Sequence, residues 1–218
     1  MNSPPTTTDD ARTRLLETAG EIFAEKGFRA ATVRDICSAA GANIASVNYY
    51  FGDKLALYIE AVKHAHGCRF NDPPPSWTAE TSPEQKLYDF VHGMLKHLLD
   101  NTVPPWTVKL MLREMIDPSE ACKALTEEKI RPMSRILFGI VTELLPPGTP
   151  LVKIQMTAFS VIGQCLFYRV QEPVARQLIG AETFDALTPE QIAEHIAGLV
   201  LASLGRKLPA HLKQEVTP

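Results

Sequence analysis

The stretch from Thr32 to Lys54, TVRDICSAAGANIASVNYYFGDK, constrains this chain more than any other. Val33, Ile36, Cys37 and Ala40 fall at i, i+3, i+4 and i+7, the spacing of one buried helical stripe, and Arg34 and Asp35 are left outside it. Thr32 precedes the stripe as an N-cap. Gly41 follows it, because glycine tolerates the left-handed backbone of a helix end. Two residues later Asn43 is a second cap, so the segment reads as helix, tight turn, helix.

The second helix, roughly 44–51, can bury Val47, Phe51 and part of Tyr50 against its partner, which turns Ile44, Ala45, Ser46, Asn48 and Tyr49 outward. A first turn with a small apolar surface, a hydroxyl and an amide suits base edges in a major groove. Apolar groups meet thymine methyls there, and an Asn amide pairs two-pronged with adenine. Tyr49 and Lys54 flank that face on phosphates, and Thr32, Arg34, Asn43 and Tyr50 complete the residues expected at the DNA. The same geometry occurs in proteins that never touch DNA, so an all-helical protein-interaction scaffold is the competing reading.

Thr32, the Ala39 to Gly41 AAG and the run VNYYFGDKLALY from Val47 to Tyr58 resemble the N-terminal domain of TetR-family transcriptional repressors. The resemblance implies a homodimer on a palindromic DNA operator, released by a small-molecule effector bound in a helical C-terminal domain. Two positions depart from the family pattern. Cys37 replaces a usual Ala, a small-for-small core change, and Asn48 replaces a frequent Tyr on the presumed reading face, so base preference is this chain's own.

Charge sets a limit on how DNA could be held. The net charge is −3, and residues 1–54 carry six Lys or Arg against seven Asp or Glu. From Lys26 to Lys54 the balance is four basic to two acidic, so binding relies on local placement and not on a basic coat. None of the six His falls into a metal-binding helix, and there is no Gly-rich phosphate loop or nucleophile elbow. The expectation is therefore a non-enzyme with no cofactor. Cys37, Cys68, Cys122 and Cys165 are widely separated, as expected of reduced cytoplasmic thiols. His64, His66 and Cys68 do not share one helical face, so no metal site is expected. The start has no apolar core, and the weakly polar run Met156 to Phe167 is too short to span a bilayer, so no membrane partner is expected.

In chain order, residues 1–8 read as a disordered Pro- and Thr-rich arm. A first helix follows, with Leu15, Leu16, Ala19, Ile22 and Phe23 on one face and Lys26-Gly27 as its stop. The helix-turn-helix domain spans 9–53, a connecting helix 54–70, a Pro-rich linker 71–82 and a ligand-binding and dimerisation domain 83–218. The expected class is all-α: a three-helix N-terminal domain plus a C-terminal bundle. Its helices are placed at about 83–100, 104–116, 118–145, 150–170, 173–179 and 189–206. Proline opens nearly every one, and Pro132 predicts a break near Lys129 to Arg131.

The segment FSVIGQCLFYRVQEP, from Phe159 to Pro173, resembles the subgroup of the family with a CecR-type C-terminal domain. Gln164 and Arg169 stand within a strongly apolar helix and need partners. With Trp106, Met111, Met115, Phe138, Phe159 and Tyr168 they form the expected effector-binding set. A satisfied internal network or an inter-subunit bond is the alternative for the two polar residues. The dimer is expected on the helices 150–170 and 189–206, through a stripe of Ile192, Ile196, Leu199 and Val200, with Gly163 and Gly198 allowing close approach.

Overall fold

The computed structural model describes residues 8–68 and 76–213. The expected N-terminal arm, except Thr8, and residues 71–75 of the Pro-rich linker lie outside the described residues. Every regular element among the described residues is helical. The chain forms two compact units, one of residues 1–71 with 101–130, the other of 72–100 with 131–218.

The first unit begins with α1, Thr8–Ala30, whose helical geometry breaks at Gly27 (φ 76°, ψ 166°), where the sequence predicts its stop. α2 (Val33–Ala40), α3 (Ile44–Phe51) and α4 (Lys54–Gly67) follow. The caps are those the residue types predict. The Thr32 hydroxyl accepts from the Asp35 N–H, Asn43 Oδ1 from the Ala45 N–H, and Asp53 Oδ1 from the Ala56 N–H. Gly41 closes α2 at φ 61°, a conformation that costs glycine little.

The division of the chain differs from the sequence expectation, which assigns everything after residue 82 to one C-terminal domain. α6 (Pro105–Ile116) and α7 (Glu120–Leu125) pack instead on α1 and α4. Leu110, Ala121 and Leu125 share one buried core with Leu15, Phe23, Ile36, Val47 and Leu57. Each large apolar side chain buried in this way contributes about 1.5–3 kcal/mol, so α6 and α7 are structural members of the unit that carries the helix-turn-helix.

The second unit contains α5 (Pro83–Leu98), α8 (Arg131–Leu144), α9 (Leu151–Val170), α10 (Glu172–Ile179), α11 (Ala181–Asp185) and α12 (Pro189–Ser203). α5 lies against α8, α9 and α12. α12 opens with a full capping box, the Thr188 hydroxyl accepting from the Gln191 N–H and the Gln191 side chain from the Thr188 N–H. The break expected at Pro132 is a π-helical segment, Thr126–Ile130, joining α7 to α8. Proline has no N–H to offer and crowds the carbonyl four residues back, and the wider turn relieves both. The five residues of α11 carry too little periodicity for the sequence to show a helix there.

α9 lies where the sequence places it. The helix runs 20 residues and by length and composition alone is apolar enough to cross a membrane, as the core helix of a helical bundle can be. Leu151, Val152 and Ile154 extend its apolar stretch beyond the shorter run read from sequence. One face, Ile154, Ala158, Val161 and Cys165, is buried within the unit, while Met156, Phe159 and Phe167 are exposed.

Candidate nucleic-acid interface and effector groove

α3 is held by little and shows much. Val47 is its one fully buried side chain, and Tyr50 and Phe51 are half-buried. The Asn43 cap, worth about 0.5–2 kcal/mol for such a residue, is therefore a large share of what orders this helix. Ile44, Ala45, Asn48 and Tyr49 are exposed, Tyr49 at 78%, and Ser46 is half-buried beside them. Tyr49 meets Tyr50 edge to face at 5.0 Å. Thr32 and Arg34 are also exposed.

Lys54 and Arg12 are tied down. Lys54 Nζ lies 4.6 Å from the centre of the Phe28 ring and donates to the Arg29 carbonyl at 3.5 Å, at the end of α1. Lys54 thus joins the start of α4 to the end of α1. Arg12 sits over the Phe51 ring at 5.0 Å and pairs with Glu60 at 3.6 Å, so the last aromatic of α3 is held from α1. Arg14 Nε donates to the Ala40 carbonyl at 3.3 Å, at the negative end of α2. Arg12 and Arg14 escaped the sequence reading because a basic residue in a surface helix carries no sign of its target.

α6 supports this head along one face. An added Cβ at Gly20 of α1 would lie 2.3 Å from the Trp106 ring, so the indole rests directly on the α1 backbone. Its other neighbour is His64 of α4, stacked at 6.2 Å. Arg113 Nη2 donates to the Glu25 carbonyl at 3.4 Å, and Gly27 leaves space for the guanidinium.

The eight effector-binding residues expected from sequence are divided between the two units. Trp106 and Met111 pack on the core of the first unit and Met115 is 52% exposed there, because the apolar face of α6 turns toward α1 and α4. Phe138, Phe159, Gln164, Tyr168 and Arg169 belong to the second unit. Phe138 and Phe159 meet edge to face at 6.2 Å. Gln164 and Tyr168 line an open groove of about 390 Å³ with Ser160, Gly163, Phe167, His195 and Ile196. Burial raises the Tyr168 phenol above its ordinary value, which keeps it a donor. Arg169 is taken up in an ionic chain: it pairs with Glu172, which pairs with Arg176, which pairs with Asp185. The Arg169 Nε is buried without a hydrogen-bond partner among the described residues.

The dimer stripe is also redistributed. Ile192, Ile196 and Val200 are buried within their own unit, and of the four expected residues Leu199 faces outward at 52% exposure.

Among the described residues no group of three His, Cys, Asp or Glu is placed to hold a metal. Cys68 Sγ lies 3.5 Å from His64 Nε2, whereas His66 is buried.

The profile described as "Bacterial regulatory proteins, tetR family" matches residues 15–61, and that of the C-terminal domain of the "HTH-type transcriptional dual regulator CecR" matches residues 83–206, more than half of the chain. The chain belongs to the TetR family, with a CecR-type C-terminal domain. The dual regulator CecR of Shigella flexneri is 26% identical, over 95% of this chain and 99% of its own. The repressor NicS of Pseudomonas putida is 21% identical, over 91% and 94%. In fold it resembles a TetR-like regulator from Rhodococcus sp. RHA1 (TM-score 0.62, 15% identity, 94% of this chain and 100% of that one). The hemolysin II regulator HlyIIR is similar as well (0.57, 22%, 83% and 98%). This TetR-family protein is a transcriptional regulator and not an enzyme.

Proposed function

We propose that this regulator is a one-component repressor that binds a palindromic operator as a two-fold dimer and leaves it when a small, largely apolar effector binds. The observation that carries the reading is α3: a short capped helix, anchored by Val47, with Ile44, Ala45, Asn48 and Tyr49 exposed on its outer face. Such a surface has no structural purpose within its own unit, and its chemistry matches base edges. Asn48 reads an adenine, Tyr49 and Lys54 meet phosphates, and Thr32, Arg34, Ser46 and Tyr50 border the contact.

The dimer forms through the outer faces of α9 and α12. Met156, Phe159, Phe167 and Leu199 are 46–61% exposed, an apolar surface that a second copy would remove from water. Two copies also supply the two reading helices that a palindrome requires, with half-sites separated by about 34–36 Å or a multiple. The effector's polar end is assigned to the groove at Gln164 and Tyr168, whose volume lies in the range of about 300–1,000 Å³ usual for small-molecule sites.

A mobility-shift and footprinting assay with DNA from upstream of the protein's own gene tests the reading. A specific shift with a dyad-symmetric footprint is expected, and no specific shift at micromolar protein would leave the scaffold reading in its place. Since CecR is described as a dual regulator, transcription from the footprinted promoter should be followed in both directions. Release requires the effector to prefer the DNA-free form, so operator must weaken effector binding by the same factor, typically about 5–150-fold. Equal effector affinity with and without operator, measured by calorimetry, would remove the release step alone.

A further inference from the structure

Glu114 is 2% exposed, a carboxylate in the core of the unit that carries the reading helix. Its donors come from two other places in the chain. The Tyr58 hydroxyl of α4 donates to Oε1. The Ser119 hydroxyl reaches both oxygens, at 3.0 and 2.9 Å, and the Ser119 N–H donates to Oε2 at 3.2 Å. Ser119 is in turn the N-cap of α7, its Oγ accepting from the Ala121 N–H at 3.0 Å. One carboxylate therefore ties α4, α6 and the start of α7 together.

A buried ionised group is costly unless its hydrogen bonds are made, and well-packed apolar residues often serve stability as well or better. What the arrangement adds over an apolar contact is direction: three donors fix the rotation and register of three helices, whereas apolar faces can slide. α4 is one of the two helices, with α2, that pack on α3. It also meets the α7 end of the chain at a second point, where Lys63 pairs with Glu128 at 2.7 Å.

Resting on the DNA-binding reading above, we propose that Glu114 is a positioning residue for operator recognition, which holds α4 on α6 and α7 so that the reading helix is presented in one orientation. Residues 101–130 are in this sense part of the DNA-binding machinery although they touch no DNA.

The test uses the full-length protein on its footprinted operator and on versions with the half-sites one base pair nearer or farther. The double variant Tyr58→Phe with Glu114→Leu removes the buried donor and the acceptor together, and the Ser119 donors, at a half-buried position, are left to water. It should keep wild-type helicity and melting behaviour, bind the operator about tenfold more weakly, the scale of coupling within one hydrogen-bond network, and lose discrimination among the three spacings. Glu114→Gln should restore most of the affinity and the discrimination. Its amide oxygen can accept the Ser119 N–H, and its NH₂ can donate to the two hydroxyl oxygens. Leu125→Ala, a cavity in the same core at the far end of α7 from Ser119, should lower the melting temperature without changing the spacing preference.

Wild-type affinity and spacing preference in the double variant overturn the proposal, and so does a loss shared equally by Leu125→Ala. If the double variant does not fold, Ser119→Ala decides, because it removes two of the contacts at a half-buried position. Weakened discrimination supports the role, and unchanged discrimination refutes it. A wild-type protein that binds no operator overturns the DNA-binding reading itself, a different result from a wild type that binds and a variant that binds equally well.

Discussion

His66 makes the stability of the DNA-binding unit depend on pH in a direction and range that can be worked out. Its imidazole is 6% exposed in α4, and burial, assisted by the charge of Lys129, pushes it down from an ordinary 6.5 to about 4. The folded protein thus holds His66 neutral where the unfolded chain would protonate it. Between those two values the unfolded state binds more protons, so stability is full above about pH 6.5, falls as the pH drops, and stops falling near pH 4. At about 1.4 kcal/mol per pH unit the whole gap is worth about 3 kcal/mol, of which about 2 kcal/mol is lost between pH 7 and 5. Urea unfolding followed by circular dichroism at pH 7, 6 and 5, for wild type and for His66→Gln, isolates this contribution from that of the other histidines. The wild type should lose about 2 kcal/mol more than the variant over that interval. Equal losses in the two proteins would refute the reasoning.

Gly20→Ala should destabilise the first unit by about 1–3 kcal/mol, the usual cost of overpacking, because its methyl would fall on the Trp106 ring; tryptophan fluorescence reports the displaced indole alongside the melting curve. Asn48→Ala should cost about 1–3 kcal/mol of operator affinity and relax preference at a single base pair, measured by competition among operators with single substitutions. Lys54→Ala should weaken all DNA sequences alike and reduce the salt slope by about one. It should also lower stability by about 0.5–1 kcal/mol through its lost contact with the Phe28 ring, a loss absent if Lys54 serves phosphates alone. Phe159→Arg should give a folded monomer in sedimentation at micromolar concentration, since Phe159 is 61% exposed within its own chain.

The parts legible in advance are those in which cause and effect lie a few residues apart. Thr32 and Asn43 cap helices by reaching three and two residues along the chain. Gly41 ends α2 by its own backbone freedom, and Pro132 disturbs the turn immediately before it. These local rules, with the apolar spacing of α2 and α3, determined the all-α class, the helix-turn-helix and which face of α3 is free. An apolar stripe shows that a helix buries one face, but the partner of that face is settled by packing. α6 therefore reads from sequence as a member of the effector-binding bundle, whereas only the fold shows Trp106 against Gly20 of α1 and His64 of α4. Glu114 gave no sequence sign at all. It looks like any helical glutamate, and its acceptance of the Tyr58 hydroxyl joins residues 56 positions apart. The turn toward the core that buries its carboxylate exists only once α4, α6 and α7 have met.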